Sequence, residues 1–208
     1  VCDPISPEPE KCYRQIGIKS HGKGLFHKEP VTGKSLGNKR VFRIHPDCLV
    51  VNIVFAWEQA IAKTSVSEIG MIASHRFPMF QPKYKLCDVD YLVYFFKTPR
   101  GKYLLGLASP GGAGRNKTLG QNEFSRLKIT IPPTEEQKKI AKILYTWDRA
   151  NEKLEVLISA KQKRKKALMQ QLLTGRKRFA GFEGEWRKVR IGEIAHIETG
   201  SSKSEHIN

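Results

Sequence analysis

The chain has 208 residues, of which 37 are Lys or Arg and 20 are Asp or Glu, for a formal charge of +17 at neutral pH. That length suits one ordinary domain, or a modest domain carrying an extended element. A hydrophobic share of 39%, with 10 Phe, 6 Tyr and 3 Trp, excludes disorder of the whole chain, and no apolar run reaches the ~18 residues of a membrane-spanning helix.

So large an excess of cations points to a polyanion: nucleic acid, an anionic surface or an acidic protein. Cys2, Cys12, Cys48 and Cys87 include no CxxC pair for zinc, and read as reduced thiols of a cytoplasmic protein. The chain opens at Val1 in Pro-rich sequence, which reads as a start that has been removed.

Residues 1–133 read as a mixed α/β (α+β) domain. In residues 15–27, Gly17, Gly22 and Gly24 are spaced through a polar loop flanked by Ile16, Ile18, Leu25 and Phe26. Val41 to Ile44 and the run from Leu49 to Trp57 have the β-branched and aromatic bias of strands. Asp88 is a candidate cap for a short buried helix over residues 88–97. A Gly-rich stretch at 110–114 leads into polar residues 115–123. Residues 127–131 alternate like a half-buried strand that Pro132 and Pro133 end.

Thr134 and Gln137 have capping-box spacing, with Gln137 expected to reach back to the Thr134 amide. From Ile140 the steps alternate four and three through Leu144, Trp147, Asn151, Leu154, Ile158, Lys161, Lys165, Leu168 and Leu172. This is the period of a coiled-coil seam. A helix over 134–175 follows, spanning roughly 50 Å and stopping at Gly175. Trp147 reads as core, and Asn151 as a residue that fixes register. Such a seam wants a partner helix. Residues 176–208 begin with Arg176, Lys177 and Arg178, continue strand-like over 187–197, and read as the start of a further domain.

Several partial motifs resemble active sites and fall short. Residues 111–118 resemble a phosphate loop, but Asn116 stands where that motif needs Gly. Asp47 and Glu58 are spaced like a metal-dependent nuclease site in which Ala60 replaces the lysine. Ile131-Pro132-Pro133-Thr134 lacks the flanking residues of an amino-methyltransferase motif. The six histidines have no metal spacing on a helix. The residues thus offer no positive sign of catalysis or of a bound cofactor.

Residues 127–145 (LKITIPPTEEQKKIAKILY), Asp148 and residues 167–178 (ALMQQLLTGRKR) resemble the central conserved region of the specificity subunits of type I restriction-modification systems. Residues 182–194 resemble the entry to that family's second target-recognition domain. Residues 13–29, 54–58, 74–80 and 111–124 resemble one subgroup of its first. The resemblance implies a non-catalytic subunit reading double-stranded DNA, in which two recognition domains sit at opposite ends of two antiparallel helices that gauge the gap between half-sites. It implies a methyltransferase subunit and a motor-nuclease restriction subunit as partners, with S-adenosylmethionine, ATP and magnesium confined to them. A whole subunit has two recognition domains and two helices, so this chain reads as a fragment or as a half-subunit. A half-subunit would pair through its coiled coil, residues 182–208 completing the partner's domain.

On that reading Lys19, Lys23, Lys34, Lys39, Arg40 and Lys117 are candidate phosphate contacts, all beside glycines or on polar loops. Arg76, Arg115, Asn116, Gln121 and Asn122 have the chemistry to read guanine or adenine edges. The basic run of Lys161, Lys163, Arg164, Lys165 and Lys166 suits solvent, the DNA spacer or a methyltransferase face. Two rival readings are an autonomous nuclease or methyltransferase, and a coiled-coil adaptor for an acidic protein.

Overall fold

Leu49, Val50 and Val51 are all fully buried, as a strand covered on both faces requires. The computed structural model describes residues 2–83, 86–111 and 117–196. Among them the strands are β1 (Pro4–Ile5), β2 (Cys12–Tyr13), β3 (Ile16–Ile18), β4 (Leu25–His27), β5 (Val31–Thr32), β6 (Val41–Arg43), β7 (Leu49–Val51), β8 (Ile61–Lys63), β9 (Ile72–Ser74) and β10 (Met79–Phe80). The helices are α1 (Gly33–Leu36), α2 (Val89–Lys97), α3 (Pro99–Leu107), α4 (Gln121–Ser125), α5 (Thr134–Leu173) and α6 (Ile191–Ile194).

Two three-stranded sheets run β1-β6-β9 and β10-β7-β8, and β2-β5 and β3-β4 form two-stranded ladders, every pair antiparallel. Side-chain alternation along β7 separates two cores. Val50 joins Ile16, Ile18, Ala62 and Met79, while Leu49 and Val51 join Ile61, Val89, Phe96 and Leu105 beneath α2 and α3. Tyr13, Leu36, Val41 and Ile72 form a third cluster. This is the mixed strand-and-helix architecture, followed by a long helix, that the sequence predicts.

The chain divides into two compact units, Val1–Arg149 and Ala150–Asn208, so the boundary falls inside α5. Gln137 and Ala141 in the first turns of α5 are buried within the first unit. Asp88 caps α2 as expected, its carboxylate accepting from the Tyr91 amide at 2.9 Å. Gly175 ends α5 at φ 70.

Five expectations need correction. Gly17 lies not in the loop but within β3, which pairs with β4 as a hairpin, and Phe26 crosses it so closely that a Cβ there would lie 2.2 Å from its ring. The strand from Leu49 stops at Val51, and residues 56–58 form a 3₁₀ turn, because Asn52 bends the chain by accepting from the Val54 amide. Residues 127–131 keep their alternating burial but pair with no strand among the described residues. Gln137 does not close a capping box, for its carboxamide bonds Asp88 and Pro132 instead. Residues 187–190 have no strand partner among the described residues, and 191–194 turn into α6, where Glu193 accepts from the Arg190 amide.

Candidate nucleic-acid interface

Five separated stretches of the first unit converge on a cleft of about 520 Å³. Gln15 precedes β3, Lys28 follows β4, and Lys39, Arg40 and Val41 lead into β6. Asn52, Val54 and Phe55 follow β7, and Ser74 to Phe77 turn from β9 into β10. The lining contains no Asp or Glu. Lys28, Lys39, Arg40 and Arg76 are exposed and form no ion pair among the described residues. The Arg40 carbonyl accepts from the His75 amide at 3.2 Å, which ties the two cationic loops together. An unneutralised cationic concavity with low-dielectric walls concentrates field and attracts anions.

Three predicted DNA contacts therefore meet here: Lys39, Arg40 and Arg76. Lys28, Gln15 and Asn52 were missed by sequence reasoning, since none is adjacent to a glycine or stands out by pattern. Gln121 comes close by a different route. On the first turn of α4, it lines a second cleft of about 250 Å³ that shares Ser74, His75 and Phe77 with the first. Asn122 is exposed on α4, so residues 121–125 are helical and not loop.

The hairpin tip between β3 and β4 carries Lys19 and Lys23, both exposed. It is anchored by the His21 and Gly22 amides, which donate to the carbonyls of Glu58 and Gln59, and by Ser20, which donates to the Glu58 carboxylate. Gly22 adopts φ 62, and a Cβ there would strike the Lys97 side chain, so a glycine is required. Lys117 lies over the Trp57 ring, its Nζ 5.9 Å from the centroid. Lys34 is exposed on α1 and not on a loop, with its amide bonded to Pro9. Arg115 and Asn116 lie outside the described residues.

Along α5, Leu144, Asn151, Leu154, Ile158 and Leu168 are exposed, with Ile140 and Leu172 half-buried. Trp147, on the same stripe, is 67% exposed, so among the described residues of a single chain that part of the seam is uncovered. In the second unit Lys161, Arg164 and Lys165 border a groove of about 500 Å³ with Leu168, Met169, Leu172 and Leu173.

Buried carboxylates and phenols serve the scaffold. Burial would raise the Glu68 pKa, but bonds from Ser67, Ser65 and His27 outweigh it and hold the carboxyl below its ordinary value. Burial raises the Tyr94 pKa, and its bond to Asp148 at 2.9 Å raises it further, so the hydroxyl stays a donor joining α2 to α5. Lys63, despite a partial desolvation that lowers its pKa, is held above its ordinary value by Asp90 and Asp47. Among the described residues no cluster of His, Cys, Asp or Glu could hold a metal ion, and no helix is long and apolar enough to cross a membrane.

Residues 50–162 match the family model described as the type I restriction modification DNA specificity domain, and the chain belongs to that family. It is 30% identical over 165 residues to the type I restriction enzyme MjaVIII specificity subunit of Methanocaldococcus jannaschii, covering 73% of this chain and 38% of that protein. The fold is similar to that of the HsdS subunit from Thermoanaerobacter tengcongensis, with a TM-score of 0.64 at 18% identity over 98% of this chain and 54% of that one. A second solved chain, from work on complex assembly and conformational transition of the type I R-M system, gives 0.63 at 20% identity over 93% of this chain and 51% of that one. The chain thus spans 38% of the curated relative and about half of each solved chain.

Proposed function

We propose that this chain is a DNA-recognition piece of a type I restriction-modification specificity subunit. In that role it directs adenine methylation and restriction by partner subunits and itself carries out no chemistry. The observation that carries the reading is the coincidence of the family match with a cationic, carboxylate-free cleft that brings Lys39, Arg40 and Arg76 together. Lys19 and Lys23 on the hairpin tip, with Lys34 and Lys117, supply further phosphate contacts; Gln121 and Asn122, with Arg115 and Asn116, supply base contacts. S-adenosylmethionine, ATP and magnesium act in the methyltransferase and motor-nuclease partners, and the protein works in the cytoplasm.

The uncovered seam of α5 supports a helical partner, either the second helix of a longer subunit or a second copy of this chain. The decisive experiment is co-expression with methyltransferase subunits encoded beside its gene, followed by mapping of methylated adenines. A bipartite methylated motif that appears only with this chain is expected. Failure to co-purify with any such subunit, together with no DNA affinity at low salt, overturns the reading. Metal- or S-adenosylmethionine-dependent activity of the purified chain alone would replace it with the enzyme reading.

A further inference from the structure

We infer that the cleft is a phosphate grip: it holds the sugar–phosphate ridge of one DNA strand, with the Asn52 side-chain amide as the donor on its floor. Arg76 then belongs among the residues that position DNA and not among those that read it. The inference rests on the DNA-binding reading above and concerns which part of the DNA enters this site.

Shape comes first. Base edges lie at the bottom of a groove between two phosphate ridges, so a protein reads them with an element that protrudes. A concavity takes the ridge instead. Charge agrees, because the rim carries Lys28, Lys39, Arg40 and Arg76 with no carboxylate in the lining. Phe55 and Phe77 add apolar wall suited to the face of a deoxyribose.

Asn52 supplies the specific donor. It is only 9% exposed. Its main-chain N–H donates to Ala60 at 2.9 Å, and its carbonyl accepts from Phe55 at 3.1 Å. Its Oδ1 accepts from the Val54 amide at 3.1 Å, which also fixes which end of the carboxamide is oxygen. The NH₂ group bonds nothing among the described residues, yet no buried side-chain nitrogen or oxygen is left unsatisfied, so that nitrogen retains some access from the cleft. What Asn52 offers is therefore a donor, and a phosphate oxygen is an acceptor only. Reading adenine would need the amide oxygen as well, and that oxygen is turned to the main chain.

The test is fluorescence anisotropy of the full chain with duplex DNA across a salt series. One variant combines Lys39→Gln, Arg40→Gln and Arg76→Gln. A second, Asn52→Asp, keeps the acceptor for Val54 but sets a carboxylate on the floor. The triple variant is expected to reduce the magnitude of the log K against log salt slope by about 2 to 3, near 0.9 for each lost phosphate contact. Asn52→Asp is expected to weaken binding about tenfold or more at ~100 mM salt, and both losses should be equal across unrelated sequences. Parental affinity and slope in folded triple and Asn52→Asp variants would overturn the grip. So would a loss confined to one sequence, which would return Arg76 to base reading. A parent chain that binds no duplex at low salt overturns the DNA reading itself, and the grip falls with it.

Discussion

The buried side chain of Gln137 accepts a hydrogen bond from the Asp88 main-chain amide at 2.9 Å and donates to the Pro132 carbonyl at 2.7 Å. Asp88 in turn caps α2. One carboxamide thus joins the start of α5 to the start of α2 and to the strand-like segment before it. Gln137 has no solvent exposure, so water cannot replace it. Gln137→Ala is expected to lower stability by about 2–4 kcal/mol, since it opens a cavity and strands a donor and an acceptor. Gln137→Glu should also destabilise, because an ionised carboxylate cannot donate to Pro132. Urea unfolding checks both, and a variant as stable as the parent would remove Gln137 from this role.

Two glycines of α3 make opposite predictions. At Gly101 a Cβ would sit 2.3 Å from the Phe95 carbonyl oxygen, where α3 passes the end of α2. Gly101→Ala is therefore expected to cost about 1–3 kcal/mol despite its better helix propensity. At Gly106 nothing lies within 4 Å of the added Cβ. Gly106→Ala should gain up to about 1 kcal/mol from propensity alone. Thermal melts of the two single variants should move in opposite directions.

The parts legible in the sequence were those set by local rules. Asp88 before an apolar run marks a cap, steps of four and three mark α5, and glycine after it marks its end. What pattern could not show was pairing. Residues 127–131 alternate as a strand does, yet no neighbour among the described residues completes a ladder. Residues 54–57 have strand composition but follow Asn52, whose side chain turns the backbone. Gln137 sits at capping-box spacing, but tertiary packing brought a better-matched set of partners in Asp88 and Pro132. The cleft was half legible: polar loops pointed to Lys39 and Arg40 as phosphate contacts, and side-chain chemistry pointed to Arg76 as a base reader. Gln15, Lys28 and Asn52 join it only because the start of β3 and the ends of β4 and β7 meet at the same place.

Glu68 gives the first unit a pH dependence. Burial pushes its pKa up, and the bonds from Ser67, Ser65 and His27 more than offset this, leaving it below the ordinary 4.5. A carboxyl whose pKa is depressed on folding stabilises fully above its unfolded value and loses that contribution as pH falls through the folded one. Stability should therefore decline on acidification below about pH 4.5. Glu68→Gln should be less stable at neutral pH and flatter in that acid window, because an amide cannot accept from the Ser65 amide and hydroxyl, the Ser67 hydroxyl and His27 together. Chemical unfolding at a series of pH values separates the two curves, and parallel curves would dismiss Glu68 as the cause.

The seam of α5 makes the most consequential prediction. Leu154 and Ile158 are 54% and 56% exposed, so charged residues there should leave the fold of a single chain almost unchanged. If the seam pairs with a second helix, Leu154→Glu with Ile158→Glu should instead place charge in a dry interface and abolish association. Light scattering of the parent at high concentration is expected to give a dimer, and the double variant a monomer with an unchanged thermal midpoint for the first unit. A monomeric parent would eliminate the homodimer and leave the second helix of a longer subunit as the partner. Asn151→Leu refines the same test. Removing a polar seam residue should strengthen association while relaxing the number or register of helices that assemble, because an apolar position no longer penalises the alternatives.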